Sequence, residues 1–184
     1  MKKMEKIRMS KREVKEMDSI CKFLKQNKIG YLGLSDESAP YVVPLNFVWQ
    51  NNSIYFHGAN EGRKVRILTK NSQACFTVCE DFGTIASPIP ANTDTAYFSV
   101  MIFGIVEKVT SREEKLAAMQ TMLDKYVPGY FNNPLASAHL EKYQSSLGSK
   151  TAVFKLAAHK ITGKENKLDK KMKFTSGRTI EMDL

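Results

Sequence analysis

The spacing of apolar residues predicts that extended segments dominate this chain. Apolar runs typical of strands occupy positions 29–35, 41–49, 53–57, 74–79, 97–109 and 151–161. Between the second and third runs, Asn51 and Asn52 suit a hairpin turn, because asparagine tolerates a positive φ. About six strands joined largely by hairpins favour a mainly β fold, a small antiparallel barrel with peripheral helices.

Helical spacing marks the N-terminal part of the chain. Residues 10–13 fit a capping box, and apolar residues follow at helical intervals. These residues are Val14, Met17, Cys21 and Leu24. We therefore predict a first helix that begins at this box and ends near Asn27. A short second helix is predicted over residues 62–70.

A second capping box at residues 111–114 predicts a helix that continues to Tyr126 and stops at Pro128 and Gly129. Residues 137–144 predict one more helical piece, and residues 81–95 predict a long polar loop. We expect three regions: an N-terminal helix over residues 1–28 that packs on the barrel, the barrel domain over 29–163, and a polar C-terminal tail over 164–184.

The net charge of +9 lies at the two ends of the chain. Residues 1–28 carry ten basic and four acidic side chains, a net of +6, and residues 159–184 carry seven and four, a net of +3. The remaining residues balance at eleven against eleven. Because the basic ends lack interleaved aromatic residues, we expect no nucleic-acid partner.

Length and cysteine usage favour a cytoplasmic protein. The longest apolar run, at about residues 97–106, is too short for a membrane helix, and the N-terminus has no apolar core of a secretory signal. We therefore expect no membrane partner. Three cysteines cannot all pair, and Cys75 and Cys79 lack the companions of a zinc site, so we predict reduced thiols and no metal.

The sequence IYFHGANEGRKVRILTKN, residues 54–71, predicts an anion site. A strand passes through Gly58 and Gly62 into a helix that begins with Arg63 and Lys64, where cations are unfavourable beside the helix dipole. Backbone N–H groups at such a junction hold phosphate, and both side chains can bind it. The alternative is that both cations are ordinary surface residues.

Two neighbouring features also have two interpretations. Pro44 lies within a predicted strand and cannot donate to a ladder, so it marks either a bulge or edge, or a face open to a planar heterocycle. His57 shares its strand side with Tyr55, and it is either a packed histidine or a residue lining the predicted anion site.

These segments resemble a known family. PYVVPLNFVWQNNSIYFHGANEGRKVRILTKNSQACFTV and the later YFSVMIFGIVEKV are similar to the FMN-binding split-barrel proteins related to pyridoxamine 5'-phosphate oxidase, and within them to the nitroimidazole-resistance branch. The resemblance covers roughly residues 11–163. It implies a Greek-key split barrel of the FMN-binding type, a homodimer, and two flavins in clefts at the subunit interface.

The resemblance also implies roles for individual residues. The strand from Val43 to Phe47 would line the isoalloxazine ring, and the residues after it would surround the ribityl chain and phosphate. Tyr97, Ser99 and Val100 would stand on an interface strand near the cofactor. The full implied cofactor set is Val43, Pro44, Leu45, Asn46, Phe47, His57, Gly58, Ala59, Arg63, Lys64, Tyr97, Ser99 and Val100, with His57 also implied as catalytic.

The implied activity is flavin-dependent reduction of a small aromatic substrate by hydride transfer, with FMN as the cofactor and FAD as the alternative. Two departures from the family pattern concern the substrate side: Phe98 replaces a polar residue, and the segment 129–148 is longer than a minimal barrel needs. A non-catalytic flavin- or haem-binding protein, with His57 or His139 as axial ligand, is the second hypothesis. A regulator that binds nucleic acid through the basic ends is the third.

Overall fold

The computed structural model describes residues 7–142, 148 and 150–184. Strands account for most of the regular structure, as the apolar pattern predicts. The strands are β1 (Glu13–Val14), β2 (Ile29–Ser35), β3 (Pro40–Asn46), β4 (Val48–Gln50), β5 (Ser53–Ala59), β6 (Gln73–Ile85), β7 (Asp94–Lys108) and β8 (Thr151–Asn166). The helices are α1 (Met17–Gln26), α2 (Arg63–Lys70), α3 (Arg112–Tyr126) and α4 (Ser137–Lys142).

All described strands belong to one antiparallel sheet that curls into a split barrel. The order across the sheet is β3-β2-β6-β7-β8-β5-β4, and β1 pairs with β8. Strand β3 contacts β5 without joining it in a ladder, so the barrel is open between these two strands. The predicted split-barrel fold is confirmed.

The barrel interior is filled by aromatic and branched side chains. Phe47, Phe56 and Phe76 are fully buried, and the Phe47 and Phe76 ring centroids lie 5.1 Å apart. Helix α1 closes one side by packing Ile20, Phe23 and Leu24 against this core. Because side chains alternate between the two faces of each strand, every second residue points into the barrel and is buried there.

Helix α3 covers the outside of the barrel and forms a second apolar cluster. This α3 cluster consists of Val48, Tyr55, Val109, Ala118, Met119, Met122 and Val153. The helix begins as predicted, because the Ser111 hydroxyl accepts a hydrogen bond from the Glu114 backbone N–H at 3.2 Å. Helix α4 packs on the same cluster through Leu140, and the predicted helical positions 143 and 144 lie outside the described residues.

The predicted start of the first helix is wrong. Residues Ser10–Arg12 form a single 3₁₀ turn, Glu13 and Val14 pair with Lys164 and Gly163 of β8, and α1 begins only at Met17. Strand pairing with a segment 150 positions away therefore overrides the local capping pattern. Strand β8 itself continues to Asn166, past the predicted boundary at residue 163.

The predicted polar loop over residues 81–95 is too long at both ends, and the connection between the strands covers only residues 86–93. Strand β6 continues to Ile85 and β7 begins at Asp94, with a bulge between Asp81 and Gly83 that lets the long hairpin continue. The tail adds to this hairpin, since Ala86 donates to the Met172 carbonyl and Phe174 to the Thr84 carbonyl, each at 2.8 Å.

Several local predictions agree with the structure. Asn51 and Asn52 have φ angles of 49° and 54° and join β4 to β5 in a two-residue hairpin. Cys21, Cys75 and Cys79 are free thiols. Among the helices that the structure describes, none has both the length and the apolar character that crossing a bilayer requires.

Candidate functional site

The first backbone N–H groups of α2 receive no hydrogen bond acceptor from the N-cap residue. Gly62 is the N-cap residue, with φ of 97°, and it has no side chain to accept a hydrogen bond from the first turn. The first turn contains no acidic residue either. The first intrahelical bond of this turn runs from the Arg66 N–H to the Gly62 carbonyl at 3.1 Å. Three preceding N–H groups, at residues 63–65, therefore face out of the helix end.

Lys64 places a positive charge beside these donors. Its Nζ lies 2.5 Å from the point where a Cβ on Gly58 would stand, and 5.3 and 5.0 Å from the ring centroids of Phe56 and Phe154. Within the part of the chain that the structure describes, Lys64 makes no ion pair or hydrogen bond. Burial lowers the pKa of its ammonium group. The site therefore contains a half-buried cation that lacks an anion.

Arg63 has different surroundings from Lys64. Its guanidinium pairs with the Asp36 carboxylate, at 3.3 Å from Nη2 and 3.4 Å from Nε, and lies 4.8 Å above the ring centroid of Tyr41. Asp36 follows β2 and Tyr41 lies on β3, so Arg63 fixes α2 against the β2–β3 hairpin. Its charge is already balanced by the Asp36 carboxylate, and no described carboxylate balances the charge of Lys64.

Strand β3 divides the predicted flavin-lining residues between its two sides. Val43 and Leu45 pack against the barrel core, and Pro44 and Asn46 are exposed on the outer side. Strand β3 pairs with β2 alone, so its alternate backbone groups are directed away from the sheet, into the opening beside β5. Pro44 thus occupies an edge strand, one of the positions that its missing donor allows.

Phe47 is a core residue whose backbone is bound by α3. Its side chain is fully buried, its N–H donates to the Tyr126 hydroxyl at 2.8 Å, and its carbonyl accepts from Lys125 Nζ at 2.9 Å. The Lys125 ammonium also donates to the Leu24 carbonyl at 3.1 Å and lies 3.9 Å from the Phe47 ring centroid. Burial, and then the charge of Lys28, lower the pKa of Lys125 to about 8.

His57 faces α3, on the opposite side of β5 from Lys64. Its Nδ1 lies 2.9 Å from the Met122 sulfur, and its cross-strand neighbour Val153 belongs to the α3 cluster. The predicted common direction of Tyr55 and His57 agrees with this arrangement, because Tyr55 belongs to the same cluster. Burial, and then the charge of Lys64, lower the pKa of His57, which favours the neutral imidazole.

The predicted residues on β7 also lie on two sides of the sheet. Val100 is fully buried in the barrel, and Tyr97 and Ser99 face outward. Phe98 also faces inward and stacks on Phe23 with ring centroids 4.5 Å apart. The polar residue that the family pattern places here is therefore replaced by a core side chain.

The outer face of β3, β2, β6 and β7 exposes large apolar side chains. Pro44, Tyr31, Thr77 and Met101 form one cross-strand row on this outer sheet face. Exposed fractions reach 61% for Val42, 54% for Ile29, 47% for Tyr31 and 39% for Met101. A contiguous apolar surface of this kind is typical of an interaction site.

The structure therefore brings together Gly58, Arg63 and Lys64 near the open edge of β3, and Ala59 follows Gly58 as the last residue of β5. It places Pro44, Asn46, Tyr97 and Ser99 on the outer sheet face, and Phe47, His57 and Val100 in packed surroundings away from that corner. Four residues around the site had no predicted role, because their contacts join distant parts of the chain: Asp36, Tyr41, Lys125 and Tyr126. For Lys125 a partial signal exists, because basic residues favour the C-terminal turn of a helix.

Comparison with known proteins identifies relatives of this architecture. The sequence model of the family described as pyridoxamine 5'-phosphate oxidase matches residues 16–165. Comparison with curated proteins gives no match.

Solved structures with the same fold include three instructive examples. A flavocytochrome from Azotobacter vinelandii is 21% identical, with a TM-score of 0.74 over 89% of this chain and 73% of that one. A Bacteroides thetaiotaomicron protein named for 5-nitroimidazole antibiotic resistance is 25% identical, with a TM-score of 0.64 over 83% and 85% of the two chains. An FAD- and haem-binding protein from Mycobacterium smegmatis is 17% identical, with a TM-score of 0.69 over 84% and 73%.

The split barrel, the strand-to-helix junction at Gly58–Lys64 and a family match over residues 16–165 agree with one another, and the chain belongs to the pyridoxamine 5'-phosphate oxidase family.

Proposed function

We propose that this protein is a flavin-dependent oxidoreductase that reduces small aromatic compounds, nitroaromatic compounds among them. The observation that carries the proposal is the Lys64 ammonium, which is half-buried beside the α2 N-terminus without an anionic partner among the described residues. A flavin phosphate supplies the missing negative charge. FMN is the proposed cofactor, and FAD is the alternative because both carry this phosphate.

The residues at this corner fit a phosphate group. Gly58 leaves room for the Lys64 ammonium, and the N–H groups of residues 63–65 point toward the same end of the helix. Bound phosphate offsets the cost of burying the ammonium, so binding raises the lowered pKa of Lys64 toward its usual range. Arg63 supports the site by fixing α2 to Asp36 and Tyr41.

The open edge of β3 is the proposed place of the isoalloxazine ring. Backbone groups directed away from β2 can form hydrogen bonds with the polar edge of the ring, as Val43 and Leu45 hold the strand against the core. The ring supplies two-electron transfer to an acceptor stacked on it. The protein contributes binding, orientation and electrostatics.

The proposed active form is a homodimer that pairs through the outer sheet face. Ile29, Tyr31, Val42 and Met101 expose apolar surface that a second copy would bury in an isologous contact. Tyr97 and Ser99 lie on the same face of β7, which supports their predicted position at a subunit interface.

The proposed substrate class rests on the structural similarity to the protein named for 5-nitroimidazole resistance. His57 stays a predicted catalytic residue, and its lowered pKa favours a neutral imidazole that can accept a proton. His57→Ala is expected to retain flavin and to lose reductase turnover. Unchanged turnover would assign His57 to packing against Met122 alone.

The first experiment is the visible absorption spectrum of the purified protein, with identification of what heat releases. Bands near about 375 and 450 nm with FMN or FAD in the supernatant support the proposal. Lys64→Met and Arg63→Met are then compared as single variants. Lys64→Met should lose flavin more strongly, because Asp36 already balances Arg63. A colourless protein that takes up no added flavin would overturn the proposal.

A haem-binding function is the second candidate. His139 lines a cavity of about 520 Å³ with the aromatic side chains of Tyr130 and Phe131 and with Leu135, surroundings that suit a flat apolar macrocycle. Two of the similar structures are named for haem or cytochrome content. A Soret band that His139→Ala removes would support this candidate, and its absence after addition of haem would exclude it.

A further inference from the structure

A second cavity lies on the outside of the barrel, between α3, α4 and the start of β8. Its volume is about 570 Å³. The described residues that line it are Arg112, Lys115, Met119, Leu140, Lys150, Thr151 and Val153. Neither the proposed phosphate corner nor the aromatic cavity at His139 includes any of these residues.

The lining combines positive charge with an absence of described acidic side chains. Lys115 and Lys150 make no ion pair with any residue that the structure describes. The nearest acids of α3 are already engaged: Glu114 binds the Tyr55 hydroxyl at 2.7 Å and Lys155 at 3.1 Å, and Glu113 binds the Ser111 hydroxyl at 2.8 Å. The ammonium groups of Lys115 and Lys150 line the same cavity and repel each other, and an anionic ligand would relieve this repulsion.

The inner wall of the cavity is apolar. Met119 and Val153 are only 4% and 5% exposed and belong to the α3 cluster, and Leu140 packs against them from α4. A small inorganic anion would leave this wall without a partner. A ligand with a hydrocarbon body and one anionic end would contact both the wall and the cations.

The cavity and the proposed phosphate corner use opposite sides of the same strands. Ala152 packs in the barrel core beside Gly58, its cross-strand partner. The next residue, Val153, lies in the α3 cluster beside His57. A ligand in the cavity is therefore separated from the flavin corner by the thickness of the sheet.

We propose that this cavity binds an amphipathic carboxylate, with its carboxylate between Lys115 and Lys150 and its hydrocarbon body against Met119, Leu140 and Val153. The carboxylate forms charge-assisted hydrogen bonds with the ammonium groups, and the hydrocarbon leaves water. The site is independent of flavin, because no residue of the phosphate corner takes part in it.

The test is calorimetric titration of the protein as purified with octanoate and, separately, with octan-1-ol, which has the same chain length without the charge. Octanoate should bind at one site per chain, and the double variant Lys115→Gln/Lys150→Gln should bind it at least about tenfold more weakly. Lys22→Gln/Lys25→Gln removes two exposed charges from α1 and should leave octanoate binding unchanged.

A second measurement locates the ligand. In protein labelled with ¹³C at the methionine methyl groups, octanoate should shift the Met119 signal, assigned by Met119→Leu, and leave the exposed Met17 signal in place. Equal binding of octanol and octanoate, full binding by the Lys115/Lys150 variant, or an unmoved Met119 signal would each overturn the proposal. Flavin content, read from absorbance in both double variants, should stay equal, so failure here is distinguishable from failure of the flavin proposal.

Discussion

The ammonium of Lys64 occupies the space that a side chain at Gly58 would need. The Lys64 Nζ lies 2.5 Å from the ideal Cβ position of residue 58, and this is closer than side chains approach one another. Gly58 lies inside β5, where no turn requires the conformational freedom of glycine. We infer that glycine is present here because the lysine head group fills that space.

Gly58→Ala should therefore displace Lys64 and weaken flavin binding by about tenfold, without unfolding the protein. The clash involves the far end of a flexible side chain, so the folded state can relieve it by moving the ammonium. Flavin affinity would be measured by fluorescence titration of the apoprotein.

The control for Gly58→Ala is a double-mutant cycle. In a Lys64→Met background, the added alanine should change flavin affinity little, because the displaced cation is already absent. An equal loss in both backgrounds would mean that Gly58 acts on flavin directly and not through Lys64.

Lys125 should make the stability of the protein depend on alkaline pH. Burial lowers its pKa from 10.5 to about 8. Between these two values the unfolded chain binds a proton that the folded protein has released, so the free energy of unfolding rises with pH. Below about pH 8 the lysine is protonated in both states. The free energy of unfolding then no longer changes with pH through Lys125, and the full cost of burying its charge is present.

The free energy of unfolding of the wild type, relative to that of Lys125→Met, should therefore grow by about 1 kcal/mol between pH 7.5 and pH 10, after allowance for solvent screening. Urea unfolding of both proteins at each pH gives this difference, in which the other titrating groups cancel. A difference that does not vary with pH would show that Lys125 has an ordinary pKa.

The pKa of His57 should respond to Lys64 even though the two side chains lie on opposite sides of β5. Burial is the larger cause of the lowered pKa and the Lys64 charge is the second. Lys64→Met should raise the pKa of His57, because a nearby cation disfavours the imidazolium. Titration followed by NMR of the ¹⁵N-labelled imidazole measures the shift, with Lys22→Met as a control at a distant exposed lysine.

Charge on the outer sheet face should separate the proposed dimer. Met101→Lys places a cation in the row that contains Tyr31, and it should convert a dimer to monomers at micromolar concentration, since a buried unpaired charge is costly. Sedimentation velocity measures the oligomeric state. Met17→Lys makes the same change at an exposed methionine of α1 and should leave the dimer intact. A wild-type protein that sediments as a monomer would contradict the proposed interface.

Local chemistry predicted the parts of the fold that depend on neighbouring residues. The turn at Asn51 and Asn52 and the cap at Ser111 each follow from a residue's own conformational or hydrogen-bonding preference. The capping pattern at Ser10 failed because Glu13 and Val14 pair with β8, a contact that no local window contains.

The site was predicted only in part for the same reason. A continuous strand over residues 41–49 was expected, but Phe47 interrupts it, since its backbone is bound by Tyr126 and Lys125 of α3. The partner of Arg63, Asp36, is also distant in sequence. The separation of His57 from Lys64 could have been predicted from the sequence. Adjacent residues of a strand point to opposite sides, so His57 faces away from the side of Gly58, where the Lys64 ammonium lies.

The two-residue turn between β4 and β5 has a consequence for how this chain can change in length. Ser53 pairs with Gln50 directly after the turn, so the turn sets which side each later residue of β5 faces. One inserted or deleted residue between Ser53 and His57 would move His57 toward the barrel and turn Gly58 away from Lys64 in a single step. Residues 127–136 join two helices and set no strand register, so variation in length among homologous chains should fall there and spare this hairpin.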